Sequence, residues 1–144
     1  MPKPSDLTVA TWARLVRAQQ SAMSAVEAAL KQAGYPPLIW YDVLLELERA
    51  GGTGLRPFEL EGALMLRQYG VSRLVARIEK AGHVIREDCE DDGRGQRLVI
   101  TAAGRDQRRR MWSVYGPAIE KSVGAKLTAD QSKTLAEILA KLID

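Results

Sequence analysis

The chain has 144 residues and a formal net charge of +3, with 46% apolar and 27% charged residues. That is the size of one domain with enough apolar material for a core, which argues against a disordered chain and against a two-domain enzyme. One cysteine, Cys89, and one histidine, His83, rule out an internal disulfide and a soft-ligand metal site, and apolar runs as short as Leu98-Val99-Ile100 leave nothing to span a membrane. The N-terminus lacks the basic-then-apolar pattern of a secretory signal, so the expectation is a cytoplasmic protein without a metal or cofactor.

Trp12, Leu15, Val16, Met23, Val26 and Leu30 fall on one stripe of a long helix that starts near Ser5 to Thr8 and ends at Gly34. After Pro36-Pro37, the residues Trp40, Val43, Leu44 and Leu47 mark a second helix, broken by Gly51-Gly52-Thr53-Gly54. Pro57 suits the first position of a short third helix carrying Phe58, Leu60 and Leu64. A fourth helix is expected from about Arg67 to Ala81, with Val71, Leu74, Val75 and Ile78 facing inward and Gly82 as its cap.

The apolar period then changes from 3.6 to 2. Val84 to Cys89 and Gln96 to Thr101 read as two strands of a hairpin turned by the Asp92-Gly93 pair. Thr101 can cap a fifth helix reaching about Ser122, on which Met111, Trp112, Tyr115, Ala118 and Ile119 align, with Gly116-Pro117 as an expected kink. Thr128 and Gln131 have capping-box spacing for a sixth helix with an apolar stripe of Leu135, Ile138, Leu139, Leu142 and Ile143. Trp12, Trp40 and Trp112 on their apolar stripes read as core.

Charge is uneven along this order. Met65 to Arg110 holds eleven Lys/Arg and seven Asp/Glu, net +4, whereas Gly34 to Leu64 holds two Arg and five acidic residues, net −3. A basic stretch serves a polyanion or is simply a solvated face of mixed charge. The run Arg105, Arg108, Arg109 and Arg110 carries the same two readings.

A short helix, a turn, a second helix and then a hairpin is the organisation of a winged helix-turn-helix, whose second helix enters a major groove. The inward stripe of the fourth helix leaves Gln68, Tyr69, Ser72, Arg73 and Arg77 on the other face, groups able to read base edges or hold phosphates. At the hairpin tip, Arg94 between two glycines can reach a minor groove, with Asp92 placed to orient its guanidinium. Arg97 on the returning strand adds a cation, although strand alternation can also point it away from DNA.

The stretch LRPFELEGALMLRQYGVSRLVARIEKAGHVIREDCEDDGRGQRLVITAAG resembles the winged-helix core of the MarR family of bacterial transcription regulators. The wing pattern appears as Asp92, Arg94, Leu98, Ile100, Thr101 and Gly104, and the recognition-helix pattern as Ser72, Arg73, Leu74, Val75, Arg77 and Glu79 with Gly82. The resemblance implies a mainly α fold with a small β-hairpin wing. Residues 34–101 would form the winged helix-turn-helix core and residues 5–33 and 102–144 the flanking dimerisation helices, all within one domain. It further implies a homodimeric repressor that binds a palindromic double-stranded DNA operator and is released by a small phenolic or anionic effector. Asp42, beside Trp40 and Tyr41, and Arg86 lie where urate-responsive relatives hold their ligand, and Trp12 and Trp40 are further effector candidates. His83 suits the negative pole of the recognition helix, and Cys89 reads as packing.

Three positions depart from the family pattern: Arg67 in place of a capping Ser or Thr, Glu61 in place of a small residue, and Gly93 in place of the first wing arginine. They keep open a second hypothesis, a winged-helix protein-interaction module without operator binding. An enzyme is not expected: the sequence has no nucleophile elbow, phosphate loop or His-Glu zinc motif, Gly93-Arg94-Gly95 lacks a third glycine, and Asp42 with Glu46 reads as an exposed i, i+4 pair.

Overall fold

The computed structural model describes residues 1–66, 70–88 and 95–143. Ser5 opens helix α1, Asp6–Gln32, by accepting the Thr8 N–H on its hydroxyl at 3.1 Å. The chain leaves α1 through Gly34 in the left-handed region, φ 81°. Pro37 precedes α2, Leu38–Ala50, which ends in a single 3-10 turn over Gly51–Thr53. Helix α3, Pro57–Ala63, carries its proline at the first turn, where the missing N–H costs nothing, and the Glu59 carboxylate accepts the Arg56 N–H at 2.8 Å.

Helix α4 covers Val71–Lys80 and so begins later than the expected start at about Arg67. Its N-cap, Gly70, has φ 78°, a conformation that cannot continue an α-helix, so the first helical residue must follow it. Strands β1, Val84–Asp88, and β2, Gln96–Ile100, pair antiparallel with Val84 opposite Ile100 and Asp88 opposite Gln96. Leu55 adds a short bridge to Leu98, closed by two backbone hydrogen bonds of 3.0 and 2.7 Å. That third strand segment is a single residue and carries no readable alternation. Helix α5, Ala102–Ser122, runs as one element through Pro117, and α6, Ala129–Ala140, opens on the reciprocal Thr128–Gln131 capping box.

The chain divides into two units, Gly34–Ser113 and Met1–Ala33 with Val114–Asp144. In the first, one core is built from Val43, Leu44 and Leu47 of α2, Leu60 of α3, Leu74 and Ile78 of α4, and Val84, Leu98 and Ile100 of the hairpin. All nine are at most 4% exposed, which is how three short helices and a two-stranded ribbon, each marginal alone, become stable. Phe58, by contrast, faces solvent on α3.

In the second unit Val26 and Leu30 of α1 are buried, but α6 has no buried residue. Leu7, Val9 and Trp12 of α1 and Leu135 and Ile138 of α6 are exposed, as are Leu142 and Ile143 beyond it. Trp12, 66% exposed, is therefore not core within the chain, and neither is Trp112 at 47%. Periodicity identifies a stripe that wants burial but not which molecule buries it. Among the described residues no helix is long and apolar enough to cross a membrane.

Candidate nucleic-acid interface

Helix α4 presents two faces. Val71, Leu74, Val75 and Ile78 are buried, while Ser72, Arg73, Ala76 and Arg77 are exposed along the opposite stripe. Among the described residues no ion pair engages Arg73 or Arg77. A hydroxyl and two forked cations at consecutive turns, set on a helix held rigidly from behind, match the groups that hydrogen-bond guanine edges and phosphates. Gln68, Tyr69, Asp92 and Arg94 lie outside the described residues, as does Cys89.

The hairpin has two faces as well. Val84, Arg86, Leu98 and Ile100 share the side packed on the core, and Ile85, Glu87, Arg97 and Val99 share the other. Arg97 therefore sits across from Glu87 on the face away from α4, half-buried, where alternation sends it away from the α4 arginines. Arg86 does the reverse: its Nε donates to Glu79 Oε1 at 3.1 Å and so ties β1 to α4. Pro57, Glu61, Val71, Ser72, Val75, Arg86 and Leu98 enclose a cavity of about 50 Å³.

The effector candidates are engaged with different partners. Trp40 donates its indole Nε1–H to Nδ1 of His83 at 3.2 Å and meets the imidazole edge-on. Asp42, 4% exposed, accepts the Leu66 N–H on Oδ2 at 2.8 Å. It is thus not half of an exposed helix pair with Glu46, which instead binds Arg49 at 2.8 Å. Alternation of charge along a helix says nothing about a backbone amide 24 residues away. Trp12 belongs to the other unit. Burial lowers the His83 pKa from its usual value, since the ring loses water.

The wing joins α5 through a compact junction. Thr101 donates its N–H to the His83 carbonyl at 3.0 Å and its hydroxyl to Gly82 O at 2.7 Å, while the same hydroxyl accepts the Gly104 N–H at 3.0 Å. Further along α5, Asp106 neutralises part of the arginine run by pairing with Arg110 at 2.9 Å and more loosely with Arg109. Arg108 turns inward to Glu48 and Tyr41. Sequence reasoning missed both Arg108 and the Trp40–His83 bond, because neither spacing is local.

Residues 33–95 match the profile of the MarR family. No curated protein matches the sequence. Among solved structures, the chain is similar to Sco3205, a MarR family transcriptional regulator from Streptomyces coelicolor solved in complex with DNA. The two are 28% identical over 99% of this chain and 89% of that one, with a TM-score of 0.87. AbsC, another MarR family transcriptional regulator from Streptomyces coelicolor, is 22% identical over 99% and 95% of the two chains, TM-score 0.85. A mutant MarR from E. coli, complexed with operator DNA, is 23% identical over 97% and 100%, TM-score 0.80. The last two show the shared fold.

Proposed function

We infer that this chain, a MarR-family winged-helix protein, is a DNA-binding transcription regulator that acts as a homodimer on a two-fold related operator and represses where that operator overlaps a promoter. One observation carries the reading: the exposed stripe of α4 bears Ser72, Arg73 and Arg77 while its opposite stripe is locked into the core. A helix fixed from behind and armed in front can enter a major groove without reordering. The complexes that Sco3205 and the E. coli MarR mutant form with DNA support the same use of this fold.

The exposed apolar residues of α1 and α6 supply the reason for a dimer. Leu135, Ile138, Leu142 and Ile143 on and beyond α6, and Leu7, Val9 and Trp12 on α1, are large apolar side chains left in water. A second copy related by a two-fold axis would cover them, and a two-fold operator read in successive major grooves requires the two α4 helices about 34 Å apart, one turn of DNA.

The test is fluorescence anisotropy of a duplex from the region upstream of the gene, beside a scrambled duplex, at two salt concentrations. Wild type is expected to prefer the upstream duplex and to lose affinity steeply with salt, and Arg73→Ala to lose the preference. Absence of binding to any duplex at low salt would overturn the reading in favour of a protein-interaction module.

A further inference from the structure

Three consecutive residues of α2 reach three different places in the Gly34–Ser113 unit. Trp40 bonds His83, in the turn that leaves α4. Tyr41 lies beside Arg108 of α5. Asp42 bonds the backbone of Leu66, in the segment that leads to α4. Helix α4 runs Val71–Lys80, so the Trp40 bond falls three residues after its last residue and the Asp42 bond five residues before its first. Positions two apart on a helix project about 200° from each other, which lets one turn of α2 grip both flanks at once.

We propose that Asp42 and Trp40 are positioning residues for the DNA-reading helix, α2 fixing the entrance to α4 through Leu66 and its exit through His83, and thereby setting how Ser72, Arg73 and Arg77 meet a duplex. The proposal rests on the DNA-binding reading above. Its physical basis is a division of labour between two kinds of contact. The buried stripe of α4 holds the helix on the core, and directional bonds at its flanks add a constraint on rotation and register that non-directional apolar contact does not itself supply. Hydrogen bonds are directional within a few tenths of an ångström, and base contacts need that tolerance.

The burial of Asp42 points the same way. A carboxylate at 4% exposure costs free energy that an apolar side chain in that place would not, and the bond to the Leu66 amide is what it obtains in return. Helix α3 has ended at Ala63, with Leu64 as its extended cap, so the Leu66 N–H has left the helical ladder and takes a side-chain acceptor. The Leu66 side chain packs on the core beside it, which makes the amide a fixed point rather than a loose one. On the exit side, Thr101 already holds the Gly82 and His83 carbonyls, and Trp40 fixes the His83 ring.

The experiment compares Asp42→Asn, Asp42→Ala and Trp40→Phe in the full chain by three measurements: the thermal midpoint, the ratio of affinities for the upstream and scrambled duplexes at a temperature where each variant is folded, and residue-resolved amide exchange. Asp42→Ala and Trp40→Phe are expected to lose about tenfold in the ratio, the size of one misaligned base contact, while their salt dependence stays close to wild type. Asp42→Asn, whose amide oxygen still accepts, is expected to restore most of the ratio. Exchange is expected to quicken at Leu66 and the first turn of α4 in Asp42→Ala, and at the last turn of α4 in Trp40→Phe. Lowered midpoints with an unaltered ratio and unaltered α4 exchange would reduce both residues to packing and overturn the proposal. A wild type that shows no preference between the duplexes would count against the operator reading, and unchanged α4 exchange in both variants would then overturn the clamp by itself.

Discussion

Arg108 of α5 forms an ion pair with Glu48 of α2 in which the two side chains are only 18% and 28% exposed. The same guanidinium reaches the Tyr41 hydroxyl at 3.4 Å and lies 6.0 Å from the Tyr41 ring centre, and Tyr41 stacks on Trp112 with centroids 6.2 Å apart. The ion pair, the hydrogen bond and the ring contact together hold α2 to this part of α5.

Removing one member of that pair strands the other. Glu48→Leu is expected to cost about 1–3 kcal/mol, because a half-buried guanidinium loses its counter-charge. The double variant Glu48→Leu/Arg108→Met is expected to lie closer to wild type than Glu48→Leu alone. Urea midpoints of the two variants check this, and a double variant worse than the single one would show that the pair is not coupled.

The Trp40–His83 bond makes stability depend on pH with a definite sign. Nδ1 accepts only when it carries no proton, and burial lowers the His83 pKa below its ordinary 6.5. Above the unfolded-state value the contribution is fully present. It is lost as the pH falls through the lowered folded-state pKa, because the unfolded chain takes the proton more readily. Since His83 is the single histidine, one imidazole proton resonance reports the titration without assignment work. It is expected to titrate below the free value, and urea midpoints at pH 7.5 and 5 should differ more in wild type than in His83→Asn, whose side-chain oxygen can accept but does not titrate. Equal pH dependence in both proteins would remove the bond from the account.

Gly104 is where α5 passes close to the turn before the wing. A Cβ there would meet the His83 carbonyl and the Ile100 side chain, whereas one at Gly62 in α3 would meet nothing within 4 Å. Gly104→Ala is therefore expected to destabilise by about 2–4 kcal/mol through overpacking. Gly62→Ala is expected to be neutral or to stabilise by about 0.5–1 kcal/mol through a better helix propensity. Thermal melts of the two variants settle the contrast, and similar midpoints would contradict the close approach.

Ile138, half exposed on α6, tests the dimer. Sedimentation at micromolar concentration is expected to find wild type as a dimer and Ile138→Asp shifted toward monomer, since a carboxylate placed in a covered apolar face would lose its water. A monomeric wild type would remove the two-fold operator from the proposed function.

Local signals were legible where the physics is local. Ser5 and Thr128 announced helix starts because a cap needs only its own next turn, and the change of period at Val84 announced a strand because alternation is set by the pleat. The start of α4 was less legible. The expected start at about Arg67 lies before Gly70, whose left-handed conformation puts the first helical residue after it and is not visible as such in a string of letters.

By itself the sequence determined the order of helices and hairpin, the buried stripe of α4 and hence the exposed stripe with Arg73 and Arg77, since each follows from spacing within a dozen residues. Tertiary structure alone decided that Asp42 serves a backbone amide 24 residues on, that Trp40 meets His83 across 43, and that Arg108 turns from its arginine run to Tyr41 across 67. Those pairings depend on how α2, α4 and α5 pack, and packing brings together residues whose separation along the chain carries no period to read.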